Sequence, residues 1–206
     1  MIRIIKANEP SELSAYISKY PTHRYSDLEK SEEGINVRQI IRKSLVNEQF
    51  GLCAYCCCMI TDDGSSSLSE HIRPQDLFPN DTLDYNNLIA SCKSIDTCGN
   101  KKDNDYYAEF VSPLDENCED YFRYHPDGEI SGTDPDNHGN RTIATLNLNS
   151  YKLKKSRRAM LKNAQLMQDD IQIKEYILTP DSGKYNFGFI DIVKYYISHK
   201  EMFEPI

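Results

Sequence analysis

No apolar run in the 206 residues approaches the roughly 20 needed to cross a bilayer. With 39% hydrophobic residues and a mean hydropathy of −0.64, membrane insertion is not expected. The opening MIRIIKA is too short and too charged for a signal peptide's apolar core, which predicts a cytoplasmic protein. Internal repeats, low-complexity tracts and a recognisable interdomain linker are missing too. One domain over 1–206 is therefore expected, with N-terminal helices (1–52), a cysteine-rich centre (53–110), and a hairpin with C-terminal helices (111–206). An excess of positive charge is also lacking. The net charge is −8, which argues against general affinity for polyanions. Locally that reverses: Arg141, Lys152, Lys154, Lys155, Arg157, Arg158 and Lys162 form a run of seven basic residues without an acid. Such a run reads equally as a solvated helix face or as a positive patch.

The chain predicts an α+β protein, mainly helical. Pro10 and Ser11 open a helix to Tyr20, which Pro21 interrupts. Val37, Ile40, Ile41, Leu45 and Val46 follow helical spacing between Ile35 and Phe50, with Gly51 as the stop. Met59–Thr61 and Leu68–His71 read as two strands joined at Asp62-Asp63-Gly64-Ser65. Short helices are expected over 84–91 and 99–110. A hairpin pairs Tyr121–Tyr124 with Glu129–Ser131 across His125-Pro126-Asp127-Gly128. Asn149 or Ser150 caps a long helix carrying Leu153, Met160, Ala164, Met167 and Ile171; Thr179–Gly183 breaks it, and a last helix spans 187–199.

Seven cysteines are an odd number for disulfides, and four crowd between Cys53 and Cys58. Reduced thiols binding a metal fit better. Cys53-x-x-Cys56 and the wider Cys92/Cys98 pair supply four thiolates for a tetrahedral zinc. A closed site of that kind is structural, so any chemistry must lie elsewhere. Cys57 and Cys58 compete as ligands, but sulfurs three residues apart suit a knuckle turn better. Cys118, His125 and His138 read as bystanders.

Between the cysteine pairs lie Glu70-His71-Ile72-Arg73-Pro74 and Asn86-Asn87-Leu88, and after them Gly99-Asn100-Lys101-Lys102. A carboxylate beside an imidazole offers a hard ligand for Mg²⁺ and a neutral-pH base for water. Neighbouring residues in a strand point to opposite faces, so one of the two must sit at a strand end. Arg73, Lys101 and Lys102 flank this segment as candidate phosphate contacts.

The order Cys53-x-x-Cys56, Glu70-His71-Ile72-x-Pro74, Asn87-Leu88, Cys92, Cys98 and Asn100-Lys101 resembles the HNH endonucleases of the zinc-stapled ββα-metal type. Glu48–Cys56, Leu146–Asn149, Leu153 and Arg157 resemble its PtuB branch, the HNH effectors of Septu and retron anti-phage systems. The resemblance implies His71 as general base and Glu70 as ligand of a catalytic Mg²⁺ or Mn²⁺. It also implies Asn87 as brace of the loop that orients His71, and Asn100 as second metal ligand. Asn86, Asp103 and Asn104 rival these positions. An amide and a carboxylate favour the harder cations.

The expected activity is hydrolysis of phosphodiester bonds, in DNA first and transfer RNA second. The resemblance further implies a partner ATPase of the PtuA type and, in retron systems, a reverse transcriptase with its RNA–DNA hybrid. Two other readings compete. One is a zinc-knuckle module that binds nucleic acid or protein without cutting. The other is a thiol redox protein on Cys53-x-x-Cys56, which lacks the usual βαβ surroundings.

Overall fold

The computed structural model describes residues 1–167 and 169–203. It mixes helices with two small antiparallel sheets, and one buried apolar cluster runs from Met1 to Phe203. No helix among the described residues is long and apolar enough to span a membrane.

Helix α1 (Ser11–Lys19) buries Leu13 and Tyr16. Helix α2 (Glu32–Glu48) starts where the Ser31 hydroxyl accepts the Gly34 N–H, with Glu32 and Glu33 in the first turn against the helix dipole. Val37, Ile41, Leu45 and Val46 face the core. Its C-terminus is closed by Gly51 N–H to Val46 O (2.9 Å) and Phe50 N–H to Asn47 O (3.0 Å), a Schellman arrangement. The left-handed position of that cap falls on Phe50 (φ 53°), one residue before the glycine that marks the stop in the sequence. Buried Gln49 then works as a side-chain rung. Its amide donates to Leu52 O (2.8 Å) and Ala90 O (2.9 Å), and its oxygen accepts from Ala90 N (2.7 Å).

Strand β1 (Ser67–His71) pairs antiparallel with β2 (Leu88–Cys92), setting Glu70 opposite Ile89 and His71 opposite Leu88. This corrects two expectations. Met59 does not pair with β1; it bridges to Leu52 across the cysteine knuckle. The 84–91 segment is not a helix but a 3-10 turn (Tyr85–Asn87) leading into β2. All five β2 residues are buried, and a short run buried on both faces has no alternation to betray it. The next helix, α3 (Cys98–Lys102), is far shorter than the expected 99–110, because Asp103 takes a left-handed φ of 48°.

The expected hairpin is present as β3 (Phe122–Tyr124) and β4 (Ile130–Gly132). Helix α4 (His138–Thr145) follows, then α5 (Tyr151–Gln165), which the Ser150 hydroxyl caps by accepting Leu153 N–H. Helix α5 ends before Ile171, which lies exposed on a separate helix, α6 (Asp170–Tyr176). Helix α7 (Ile190–Ser198) completes the core, starting three residues later than the spacing suggests.

Arg157 of the basic run is fully buried. Its guanidinium donates to Gly128 O (2.8 Å) and Leu148 O (2.5 Å), joining the hairpin turn, α4's exit and α5. Gly128 has φ 87°, and a Cβ there would meet Lys154 O at 2.1 Å, so only glycine lets the turn approach the helix. Replacing Arg157 by leucine strands two buried carbonyls, each costing about 1–3 kcal/mol. Arg157→Leu is therefore expected to lower urea-unfolding stability by about 2–6 kcal/mol; a change below about 0.5 kcal/mol, the range of ordinary surface substitutions, would refute that role.

Candidate metal centre and active site

The knuckle is a tight reversal. Cys53 N–H donates to Cys58 O (2.8 Å), Cys57 N–H to Cys53 O (3.0 Å) and Ile60 N–H to Gly51 O (2.8 Å), with Cys57 at φ 57°. The reversal brings the sulfurs of Cys53, Cys56 and Cys58 to one place, and the end of β2 adds Cys92. These four sulfurs all lie within 4.8 Å of one another, with Cys56 and Cys92 4.0 Å apart. A tetrahedral zinc with bonds of about 2.3 Å needs sulfurs about 3.8 Å apart, so the four can hold a metal such as zinc. Cys92 N–H points at Cys53 Sγ (3.3 Å), an outer contact that steadies a thiolate.

The expected quartet was Cys53, Cys56, Cys92 and Cys98. Cys58 lies with the first three in one group within 4.8 Å, and Cys98 adjoins Cys53, Cys56 and Cys92 as a fifth thiol. Cys98 is fully buried, and its thiol is pushed up by hydrogen bonding with Cys53, Cys56 and Cys92. Cys92 is drawn down to about 4: a bond with Cys53 acts against the shift, and bonds from Cys56, Cys58 and Cys98 outweigh it. Cys57 is turned away, buried where desolvation and nearby Asp191 raise its thiol. Cys118 is apart, near Pro113 O, and burial lifts its thiol to about 11.

His71 ends β1 and is 5% exposed. Its Nε2 lies 2.9 Å from Thr82 O, and only a protonated nitrogen can bond a carbonyl, so Nδ1 carries the lone pair of the neutral ring. Desolvation, with the Lys102 charge adding to it, lowers His71 to about 4. The Tyr25 ring packs against it in a T-shaped pair, with ring centroids 4.9 Å apart. Asn87 braces the loop that carries Thr82: its oxygen accepts Arg73 N–H (2.8 Å), and its amide donates to Arg73 O (3.0 Å) and Asp81 O (3.2 Å). Arg73 is engaged by Asp81 (3.2 Å) and Asp84 (3.5 Å).

Glu70 faces the other side of the strand, toward α3. Its Oε1 lies 3.0 Å from Lys102 Nζ, and that ammonium also donates to His71 O (3.0 Å). A Cβ on Gly99 would come within 2.6 Å of Glu70 Oε2. Burial raises the carboxyl even though Lys102 opposes the shift. Glu70 Oε1 has no aligned hydrogen bond, and neither does the buried hydroxyl of Tyr55 beside it.

Asn100 is not brought to Glu70. It is exposed, donates to Ser94 O (3.1 Å), and lines a cleft to which neither Glu70 nor His71 belongs. A divalent cation does not fit this donor set. The carboxylate is already neutralised by an ammonium, and the second ligand stands elsewhere. Of the rivals, Asn104 holds Asp76 (2.7 Å), while Asn86 and Asp103 are exposed. His125 bonds Ser131 Oγ (2.8 Å), and His138 lies 4.0 Å from Asp134. Sequence reasoning missed Thr82, Tyr55 and the inward turn of Lys102. Only the Cys-x-Cys spacing of Cys56 and Cys58 held a usable hint.

Purified protein is expected to carry about one zinc per chain by elemental analysis, and chelation should lower its melting temperature, since metal binding adds to folding free energy. Cys58→Ser should lose the zinc while Cys98→Ser keeps it; the opposite pattern would restore Cys98 to the quartet.

No family model matches the chain. Over 102 residues it is 29% identical to Septu protein PtuB of Bacillus thuringiensis, a match covering 50% of this chain and 37% of that protein. The chain is thus similar to a PtuB protein along about half its own length, and the matched part spans little more than a third of the relative.

Proposed function

We propose that this chain is a nucleic-acid-cleaving subunit of a Septu-like anti-phage system, built on an HNH-type ββα core with a structural zinc. The observation that carries the reading is His71. Its Nε2 proton is fixed on Thr82 O and its ring is held neutral, so Nδ1 can accept a proton from water at physiological pH. As that water's oxygen bonds to phosphorus, the bond to the leaving sugar oxygen breaks and the proton passes to His71. The β1–β2–α3 order beside the thiol cluster and the likeness to a Septu PtuB support the same reading. Glu70 supports β1 through Lys102 and enters no step as a metal ligand.

DNA is the first substrate expected and transfer RNA the second. A chain of net charge −8 binds polyanions weakly alone, because phosphate contacts dominate such affinity. A partner ATPase of the PtuA type would supply binding surface and control, so the isolated chain should cut weakly and the complex strongly.

The test incubates chain and complex with DNA and total transfer RNA, with and without added Mg²⁺, and sequences the ends. His71→Ala should reduce cleavage by about 100-fold or more. Because a base lowered to about 4 is deprotonated throughout neutral pH, the rate should be level from about pH 6 to 8 and fall only as pH drops toward 4. A rise centred near 6.5 would place His71 in water and refute the burial argument.

A second reading, a non-cutting zinc-knuckle binding module, is favoured by the Glu70–Lys102 pair and by Asn100 turning away. Binding without cleavage by the wild-type complex would select it.

A further inference from the structure

The seven-residue basic run divides into two sets. Arg157 is buried on carbonyls, Arg141 lies 3.8 Å from Glu109, and Lys154 is held by Glu129 (2.8 Å) and Asp127 (3.6 Å). Lys152, Lys155, Arg158 and Lys162 are left exposed on α5, with no carboxylate within 4.0 Å among the described residues. Tyr151, Lys155, Arg158 and Lys162 follow spacings of four, three and four, which places them in one row along the helix. The α5 sequence contains no Asp or Glu.

This row begins at a cleft of about 1140 Å³, bounded by the thiol cluster, the loop after β2, α3 and the start of α5. Lys152 lines it, and so do Lys93 and Lys101, both likewise without an ion-pair partner among the described residues. Asp96, Asp103 and the thiols Cys56, Cys58 and Cys92 share the wall and offset the three lysines, so the positive field lies along the helix rather than in the cleft. Tyr151 stands 80% exposed where cleft and row meet.

We propose that this face of α5, continuing into the cleft at Lys93 and Lys101, is the track that holds a nucleic-acid backbone. From Lys152 to Lys162 the helix rises about 15 Å, long enough to lie along successive phosphates of one strand. An exposed tyrosine at the head of the row offers a base a stacking surface, a use that an acidic protein partner does not have for it. The inference rests on the reading that nucleic acid is what the chain acts on. It concerns binding, though, and can be tested without cleavage.

Fluorescence anisotropy of zinc-loaded full chain would be measured at about 50 mM salt with labelled single-stranded DNA, duplex DNA and transfer RNA. No divalent cation is added, and each probe is checked on a gel afterwards. The quadruple variant K152Q/K155Q/R158Q/K162Q should bind about tenfold or more weakly, and its log–log salt slope should be shallower by about 3. K43Q/K174Q, which removes two exposed lysines elsewhere that have no ion-pair partner among the described residues, should stay within about twofold of wild type, and K152R/K155R/K162R should bind like wild type. Circular dichroism checks that each variant folds.

Unchanged binding by the quadruple, an equal loss in the control pair, absence of wild-type binding, or equal displacement by polyglutamate of matched charge would each overturn the proposal. Loss of binding in the quadruple without cleavage by any wild-type complex would sink the nuclease reading alone. Cleavage by wild type with binding intact in the quadruple would sink the track alone.

Discussion

The convergence of thiols is the constraint on which the centre of the molecule depends. The knuckle, the end of β2 and the start of α3 meet at Cys53, Cys56, Cys58, Cys92 and Cys98. Two five-residue strands and a five-residue helix are too small to hold one another by apolar burial alone. A metal held by Cys53, Cys56, Cys58 and Cys92 would join segments nearly 40 residues apart in the chain and fix the end of the strand partnered by β1, where Glu70 and His71 stand.

Strand geometry then divides the two candidate catalytic residues. Side chains at successive positions leave a strand on opposite faces. Glu70 therefore meets Lys102 and Gly99 on α3, while His71 meets Thr82 and Tyr25 on the other side. Lys102 spans both, with its ammonium on the carboxylate of one and the backbone carbonyl of the next. An ion pair this deep gives back in Coulomb energy much of what desolvation costs, and it serves better as a strut between β1 and α3 than as an open ligand.

What could be read in the sequence were the features with a period or a fixed spacing: α2, the 122–132 hairpin, α5 and the cysteine knuckle. What could not be read had neither. The strand β2 is buried at every position, so its Leu-Ile-Ala run matched a helix as well as a strand, and the nearby Asp-Gly step favoured a local hairpin over pairing with a segment 16 residues further on. The orientation of α3 was hidden too. Cys98 is in the left-handed region and the helix has a single turn, so no apolar stripe reveals that positions 99 and 102 face β1 while Asn100 faces solvent. The basic run gave its composition but not its division, because which cations are consumed depends on Gly128, Glu129 and Glu109, all outside it.

Gln49 ties these parts mechanically. Its amide bridges the exit of α2, the knuckle at Leu52 and the β2 backbone at Ala90, at the neck of the thiol group. One planar side chain thus connects the end of α2 to the backbone on both limbs of the thiol group. The end of the long helix α2 and the sulfur group are therefore positioned together.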